Sequence, residues 1–371
     1  MFQCILSGPP MRLFACDHCG NTIYFENVVC EYCGHQLGYL PRHNALVALV
    51  EDGGLWSTRS FPDDSYVFCV NAKDGACNWL ITAEPDGDIF CVACRHDLTI
   101  PPLDDPVSLK RWQAIQRAKK RLFYSLLRLG MPLETRGENH ACGLGFRFPT
   151  GIPAKSDGVS GGHGSGVITI ALTEADDVDG EARRAATEQP HRTMLERFRQ
   201  EIGRYYWDLL IAGTPRLKRF AKAFGGAGQD RMLQTPHAPR SPQGPPRGQI
   251  RAYSTAHPRE SFAESFAHYC HITDAVEVAA AFGVQSRPGR HGDKSAPAAP
   301  FDPYASGTIE QLLENWTSVT SLLDNFNWSM GHPDAFPFVL SPEVIERLGF
   351  IHELVHERPP QARADAVGNE G

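Results

Sequence analysis

Eight of the eleven cysteines fall into two groups of four whose spacing matches that of metal ligands. In the first group, Cys16 and Cys19 form one Cys-x-x-Cys pair, and Cys30 and Cys33 form another. Each pair can bring two thiolates to one tetrahedral Zn²⁺, and a glycine follows each pair, where a tight turn tolerates positive φ. The spacing therefore predicts a zinc ribbon, a small β-structured unit whose fold depends on its metal.

The second group consists of Cys69, Cys77, Cys91 and Cys94. Its first pair is stretched, but its second is an ordinary Cys-x-x-Cys, and four thiolates again match one closed structural site. The alternative, buried reduced cysteines, would leave Cys69 and Cys77 unexplained. We therefore predict two structural zinc ions. A closed four-thiolate site has no open coordination position, so these ribbons are expected to stabilise a domain or bind a partner rather than to catalyse.

Bulk composition limits the class of protein. The chain has 371 residues, 42% of them apolar, which is enough for a large core in two or three domains. A formal net charge of -7 gives no general attraction to nucleic acid or to an anionic membrane. Neither a membrane-spanning apolar run nor a signal-peptide pattern is present, so a cytoplasmic location and no membrane partner are expected.

The order of patterns along the chain predicts its organisation. Residues 1–10 are expected to be a disordered extension, residues 11–100 the two ribbons, and residues 107–371 a second domain. Pro/Gly-rich stretches near 225–249 and 285–300 predict disordered insertions in that domain.

A helix is predicted just after the ribbons, with one basic face that includes Lys119, Lys120 and Arg121. This face is interpreted as the solvated face of a helix that packs on the next domain, with a contact to nucleic acid or to an acidic partner as the alternative.

A second helix is predicted over "RFRQEIGRYYWDLL", where Phe198, Ile202 and Tyr206 recur at helical spacing. With 3.6 residues per turn, Gln200, Glu201 and Arg204 share one face of it. Zinc peptidases carry His-Glu-x-x-His on such a helix, so that two imidazoles hold the metal and the glutamate takes a proton from the metal-bound water. In this chain only the glutamate is present.

Several stretches together resemble the bacterial zinc-ribbon-containing zinc-dependent metallopeptidases. They are both ribbons, "GVITI", "YYWD", "AHYCHI" and "SMGHPDAFPFVLSPEVIERLGFIHELV", and they cover most of the chain. The resemblance implies an α+β fold in which a double-ribbon β domain precedes a zincin-like peptidase domain with a mixed sheet and an active-site helix. It also implies that a polypeptide or protein is the partner.

The same resemblance assigns roles to individual residues. Glu201 corresponds to the general base, Glu260 to the third metal ligand, with Glu264 as the less favoured alternative, and Tyr253 to a tyrosine that stabilises the intermediate. The stretch "GVITI" resembles the edge strand that aligns an extended substrate, which makes its strand residues candidates for substrate binding: Val167, Ile168, Thr169 and Ile170.

The chain departs from this family at both histidine positions. Gln200 offers only a neutral amide oxygen, and the guanidinium of Arg204 has no lone pair for a metal. We therefore predict that the third, catalytic zinc is absent, and that Arg204 bridges Glu201 and Glu260 in its place. The alternative is a rescued metal site built from Glu264, His268 and His271, which recur on one helical face.

Three functions follow from these features. The first is a catalytically impaired pseudo-peptidase that keeps a peptide-binding groove and two structural ribbons. The second is an active zinc metallohydrolase that uses Glu201 as its general base. The third is a ribbon-based module that docks nucleic acid or protein. The sequence favours the first.

Overall fold

The computed structural model describes residues 14–84, 87–151, 166–178, 193–225, 258–284, 301–305, 307–332 and 340–357. These form two compact units, Phe14–Thr214 and Pro215–Arg358. The predicted extension at residues 1–10, residues 226–249 and 285–300 of the predicted insertions, and Tyr253 lie outside the described residues. No described helix combines the length and apolarity needed to cross a membrane.

The first unit begins with an antiparallel pair, β1 (Phe14–Ala15) and β2 (Thr22–Ile23), which carries the first cysteine pair between its strands. A five-stranded antiparallel meander follows, in the order β3-β4-β5-β6-β7. Its strands are β3 (Gln36–Leu40), β4 (Ala45–Asp52), β5 (Leu55–Thr58), β6 (Phe61–Phe68) and β7 (Leu80–Thr82).

Strands β3 to β6 of this meander lie in sequence between the two cysteine groups, and β7 lies between Cys77 and Cys91 of the second group. Gly53 and Gly54 make the turn from β4 to β5, both with positive φ, as a two-residue hairpin turn requires. One face of the sheet carries a core of Leu40, Val47, Leu49, Tyr66 and Leu80. Successive residues of β3 and β4 are buried, so these two strands are covered on both faces. The sheet therefore runs from a strand that follows the first cysteine group to a strand that lies within the second.

Helix α1 (Pro106–Arg128) follows the ribbons, and Asp105 caps its N-terminus by accepting from the backbone N–H groups of Val107 and Ser108. Trp112, Ile115 and Leu122 are buried, as their helical spacing predicted. The expectation that the basic residues form a solvated face was wrong for two of them, because Lys119 and Lys120 are buried. Both lysines form internal contacts with the ribbon region.

A two-stranded parallel sheet and a helix complete the first unit. Strand β8 (Gly145–Arg147) pairs with β9 (Val167–Thr169), and a 3₁₀ helix spans Leu172–Val178. Helix α2 (Met194–Leu210) starts at Thr193, whose side chain accepts from the backbone N–H of Glu196. The rings of Phe198 on α2 and Phe146 on β8 lie 5.7 Å apart.

The second unit contains four helices in its described part: α3 (Arg216–Phe224), α4 (Pro258–Ala281), α5 (Ile309–Ser329) and α6 (Pro342–His356). Phe220, Phe224, Phe262 and Phe350 pack as one aromatic cluster at its core. A strand-rich ribbon region followed by helices confirms the α+β class.

Candidate functional site

The first cysteine group is assembled as one site. The sulfurs of Cys16 and Cys33 are 3.7 Å apart, as are those of Cys19 and Cys30, and all four lie within 4.8 Å of one another. A tetrahedral Zn²⁺ with Zn–S bonds of about 2.3 Å has sulfur–sulfur edges of about 3.8 Å. The donor set and its spacing therefore fit zinc, as the sequence predicted.

The second group is assembled in the same way but is buried at every position. Cys77 lies 3.8 Å from Cys91 and 3.9 Å from Cys94, sulfur to sulfur. Burial raises the pKa of the Cys77 and Cys91 thiols, so a compact set of thiolates needs a bound cation here. These two four-cysteine sites of the ribbon region are structural zinc sites, as predicted.

A single carboxylate ties the first site to the meander. Asp17, between Cys16 and Cys19, accepts from the backbone N–H of Ala48 at 2.6 Å, from the Thr58 hydroxyl at 2.9 Å and from the Ser60 hydroxyl at 2.7 Å. The knuckle is therefore fixed to strand β4 and to the turn after β5.

A buried charge pair supports the second site. Lys119 of α1 forms an ion pair with Asp97, and their side chains are 0% and 1% exposed. Gln116 donates to Asp97 at 3.0 Å and lies 3.9 Å from the sulfur of Cys94. Burial lowers the pKa of Lys119, but the facing Asp97 and Cys94 groups outweigh it and the net shift is upward, so this lysine is charged at neutral pH. Burial raises the pKa of Asp97 to about 7 although Lys119 opposes the shift, so the pair is fully ionised only above that pH.

Asn78 joins the two ribbons to helix α1. Its amide nitrogen donates to the backbone oxygens of Phe25 at 3.0 Å and Asn27 at 3.4 Å, and Lys120 donates to its side-chain oxygen at 3.2 Å. Arg121 adds an exposed ion pair with Glu26. Sequence reasoning missed Asn78, Asp97 and Asp17, and their only signal was a position within three residues of a cysteine ligand.

The candidate peptidase centre lies on α2, where Gln200, Glu201 and Arg204 follow one another around the helix. The guanidinium of Arg204 donates to the Glu201 carboxylate at 2.6 Å, and Arg197 forms a second ion pair with the same oxygen. Arg197 also binds Glu174 of the 3₁₀ helix at 3.1 Å. The carboxylate of Glu201 therefore lies between two cations, of which Arg197 was not predicted.

The exposure of this centre is low. The side chains of Arg204 and Glu201 are only 13% and 16% exposed, and Gln200 is buried. Charge-assisted hydrogen bonds at such depth are strong, since water competes for them poorly. The donor set fits zinc badly, because an amide oxygen is a weak ligand and a guanidinium is none.

The remaining candidates of the peptidase site lie on α4, in the second unit. Glu260 is half-buried in the first turn, and Glu264 is buried and interacts electrostatically with Arg347 of α6. The ring of His271 meets Trp316 edge-on at 5.6 Å. Within the described parts of the chain, only the two cysteine groups bring three or more metal-binding side chains within 4.8 Å. Glu264, His268 and His271 form no such group.

The predicted substrate-binding strand is β9 with the residue that follows it. The buried side chains of Ile168 and Ile170 face the core, and Val167 and Thr169 are half-buried. The backbone of Gly166 and Ile170 bonds to β8. Because backbone direction alternates along a strand, the N–H and C=O groups of Val167 and Thr169 point to the opposite edge, where no other described strand pairs.

Comparison with known proteins agrees with this architecture. A family model described as "Putative zinc-binding metallo-peptidase" matches residues 108–354, and a zinc-ribbon domain model matches residues 13–105. Uncharacterized proteins of Mycobacterium tuberculosis and Mycobacterium bovis are each 35% identical over 358 residues, which covers 94% of this chain and 97% of theirs. The chain matches no solved protein structure.

The family model covers helices α1 to α6, and it includes the helix that carries Glu201. The ribbon model covers both cysteine sites. This chain therefore belongs to the family of zinc-binding metallopeptidases that its central and C-terminal parts match, preceded by a zinc-ribbon domain.

Proposed function

We propose that this protein is a pseudo-peptidase, which keeps the scaffold and peptide-binding strand of its family but does not bind the catalytic zinc. The observation that carries the proposal is the pairing of Glu201 with both Arg197 and Arg204. The residue that would serve as general base is engaged by two guanidinium groups, and one of these stands where the family has a metal-binding histidine.

The size of the repulsion between a divalent ion and the Arg204 cation supports this proposal. Two unit charges about 4 Å apart interact by roughly 4 kcal/mol at an effective dielectric near 20. A divalent ion beside the cation of Arg204 would therefore face an opposing term of several kcal/mol, with no ligand bond from that position to offset it. Arg204 instead supplies the positive charge that Glu201 would otherwise receive from zinc.

Replacing Arg204 with alanine tests this role. We expect Arg204→Ala to lower the free energy of unfolding by about 1–3 kcal/mol, because it removes a charge-assisted bond from a nearly buried carboxylate. Arg216→Ala is the matched control on another helix, since its pair with Glu357 is more exposed, and it should cost less than about 1 kcal/mol. Unchanged stability in Arg204→Ala, measured by urea titration, would show that Arg204 does not fill this structural role.

Restoring both ligands tests the scaffold directly. The double change Gln200→His with Arg204→His recreates the family motif, and we expect it to bind one more zinc per chain than the parent and to acquire chelator-sensitive hydrolysis of labelled casein. Adding Glu201→Gln should keep the extra zinc and remove the hydrolysis, because the glutamate is the base and not a ligand. A double variant with no extra zinc would mean that more than these two positions has changed.

Peptide binding is expected at the edge of β9 that faces away from β8, where no described strand pairs and an extended chain can add as a strand by main-chain hydrogen bonds. Thr169→Pro removes one N–H from that edge and should weaken binding of fluorescein-labelled casein by more than about tenfold. Thr169→Val keeps the N–H and should bind like the parent. Equal affinities in all three proteins, measured by anisotropy, would argue against this strand as the binding edge.

A working hydrolase is the second candidate, because Glu201 is retained on a helix of the metallopeptidase family. It predicts casein hydrolysis by the unmodified protein that a chelator and Glu201→Gln both abolish. The ribbon-docking candidate has less support, because Lys119 and Lys120 are buried and cannot form a nucleic-acid contact from α1.

A further inference from the structure

One face of helix α5 carries apolar residues at a regular heptad spacing. Successive members are four, three, four, three and four residues apart, which is the a/d pattern of a coiled coil. The seam consists of Leu312, Trp316, Val319, Leu323, Phe326 and the C-cap residue Met330. Such a repeat keeps one stripe facing a partner helix over its whole length.

The two halves of this seam differ sharply in exposure. Leu312, Trp316 and Val319 are 1%, 6% and 7% exposed, because the N-terminal half packs within the second unit. Leu323, Phe326 and Met330 are 37%, 57% and 64% exposed on the same stripe. An apolar stripe that continues past its own core leaves a two-turn surface suited to a further helix.

The residues beside the seam indicate what that helix is. The six flanking positions, which in coiled coils select a partner by charge, are all uncharged: Leu313, Asn315, Thr320, Leu322, Asn327 and Ser329. An identical helix meets no like-charge repulsion at such a seam, and no charge is present to specify a different partner. Leu322, 39% exposed, widens the apolar surface on one side.

We propose that the exposed half of this seam is a self-association surface, on which α5 of a second copy packs antiparallel. Helices in contact lie about 8–10 Å apart. Helix α4 contacts the N-terminal half of α5 through His271 and Trp316, and α6 contacts Gly307, just before α5, through His352. A parallel pair would place these neighbouring helices of both copies side by side, whereas an antiparallel pair places them at opposite ends. The two-fold axis then passes beside Phe326, and Leu323 meets Met330 of the second copy.

The surface is small, so the dimer is weak. A standard interface buries roughly 800 Å² per partner, and two turns of one helix provide a smaller area than that. The association is therefore concentration-dependent, with a dissociation constant on the order of micromolar.

Placing a negative or a positive charge at Phe326, beside the two-fold axis, tests the proposal. In sedimentation velocity over a concentration series, the parent should move from monomer to dimer, whereas Phe326→Glu and Phe326→Lys should each raise the dissociation constant by more than about tenfold through like-charge repulsion. An equimolar mixture of the two variants should dimerise again, because opposite charges then meet. Ser321→Glu, an exposed change on the opposite side of α5, is the matched control and should dimerise like the parent.

Each outcome decides the matter. Restored association in the mixture cannot come from misfolded variants and supports pairing at Phe326. A parent that stays monomeric at hundreds of micromolar, or a dimer that both Phe326 variants leave intact, overturns the proposal. A circular-dichroism spectrum equal to that of the parent checks that the helices of each variant are folded.

Discussion

Replacing Cys91 with serine is expected to remove the second zinc and unfold the ribbon region. Cys91 is only 2% exposed and is one of four thiols that lie within 4.8 Å of one another, so serine in its place leaves three sulfur ligands at a buried site. Structural zinc contributes about 10–16 kcal/mol in zinc-finger peptides at neutral pH, which exceeds the whole stability of an ordinary domain. The purified variant should contain less zinc than the parent and lose cooperative unfolding.

The loss is expected to spread beyond the second site. Asn78, next to Cys77, binds the first ribbon through Phe25 and helix α1 through Lys120. Hydrogen exchange should therefore become faster in α1 as well as in both ribbons. Cys142→Ser is the control, since this half-buried thiol belongs to neither group and its change should leave zinc and stability within about 0.5 kcal/mol of the parent. Unchanged protection of α1 in Cys91→Ser would contradict this coupling.

Replacing Lys119 with methionine should be the most damaging change to any charge pair described above. It leaves the Asp97 carboxylate buried without its counter-ion, and removal of one partner from such a pair costs about 3–5 kcal/mol. Arg121→Met, two residues along the same helix, breaks an exposed pair and should cost less than about 1 kcal/mol. Denaturant titration of both variants measures the contrast.

A double change distinguishes the effect of an unpaired carboxylate from the effect of lost packing around α1. Lys119→Met with Asp97→Leu replaces both charges by apolar groups of similar size, which in other proteins is close to neutral. We expect it to recover most of the stability lost in Lys119→Met alone. If it is as unstable as the single variant, the damage comes from lost packing around α1 rather than from an unpaired carboxylate.

The zinc sites could be predicted from sequence because their signal is local. Two cysteines at Cys-x-x-Cys spacing are brought together by a single turn, whatever the rest of the chain does. The meander between the groups was not predicted, since strands β3 to β7 are specified by pairing across many residues. The burial of Lys119 and Lys120 was also not predicted, because their partners Asp97 and Asn78 lie 22 and 42 residues away.

The candidate peptidase helix also has one contact that the sequence predicts and one that it does not. Helical periodicity placed Glu201 and Arg204 on one face, and their contact is an i, i+3 pair within one element. The role of Arg197 depends on Glu174, which belongs to a 3₁₀ helix with no clear sequence pattern. Local geometry could therefore be derived from the sequence, whereas the contact between elements required the fold.

The most direct test of the proposed function is the amount of zinc bound per chain. Plasma mass spectrometry on protein purified without chelator or added metal should find two zinc ions, one for each four-cysteine site. That result would agree with a peptidase centre in which Arg204 takes the place of a metal ligand. Three zinc ions per chain would contradict the account and would favour a working metallohydrolase.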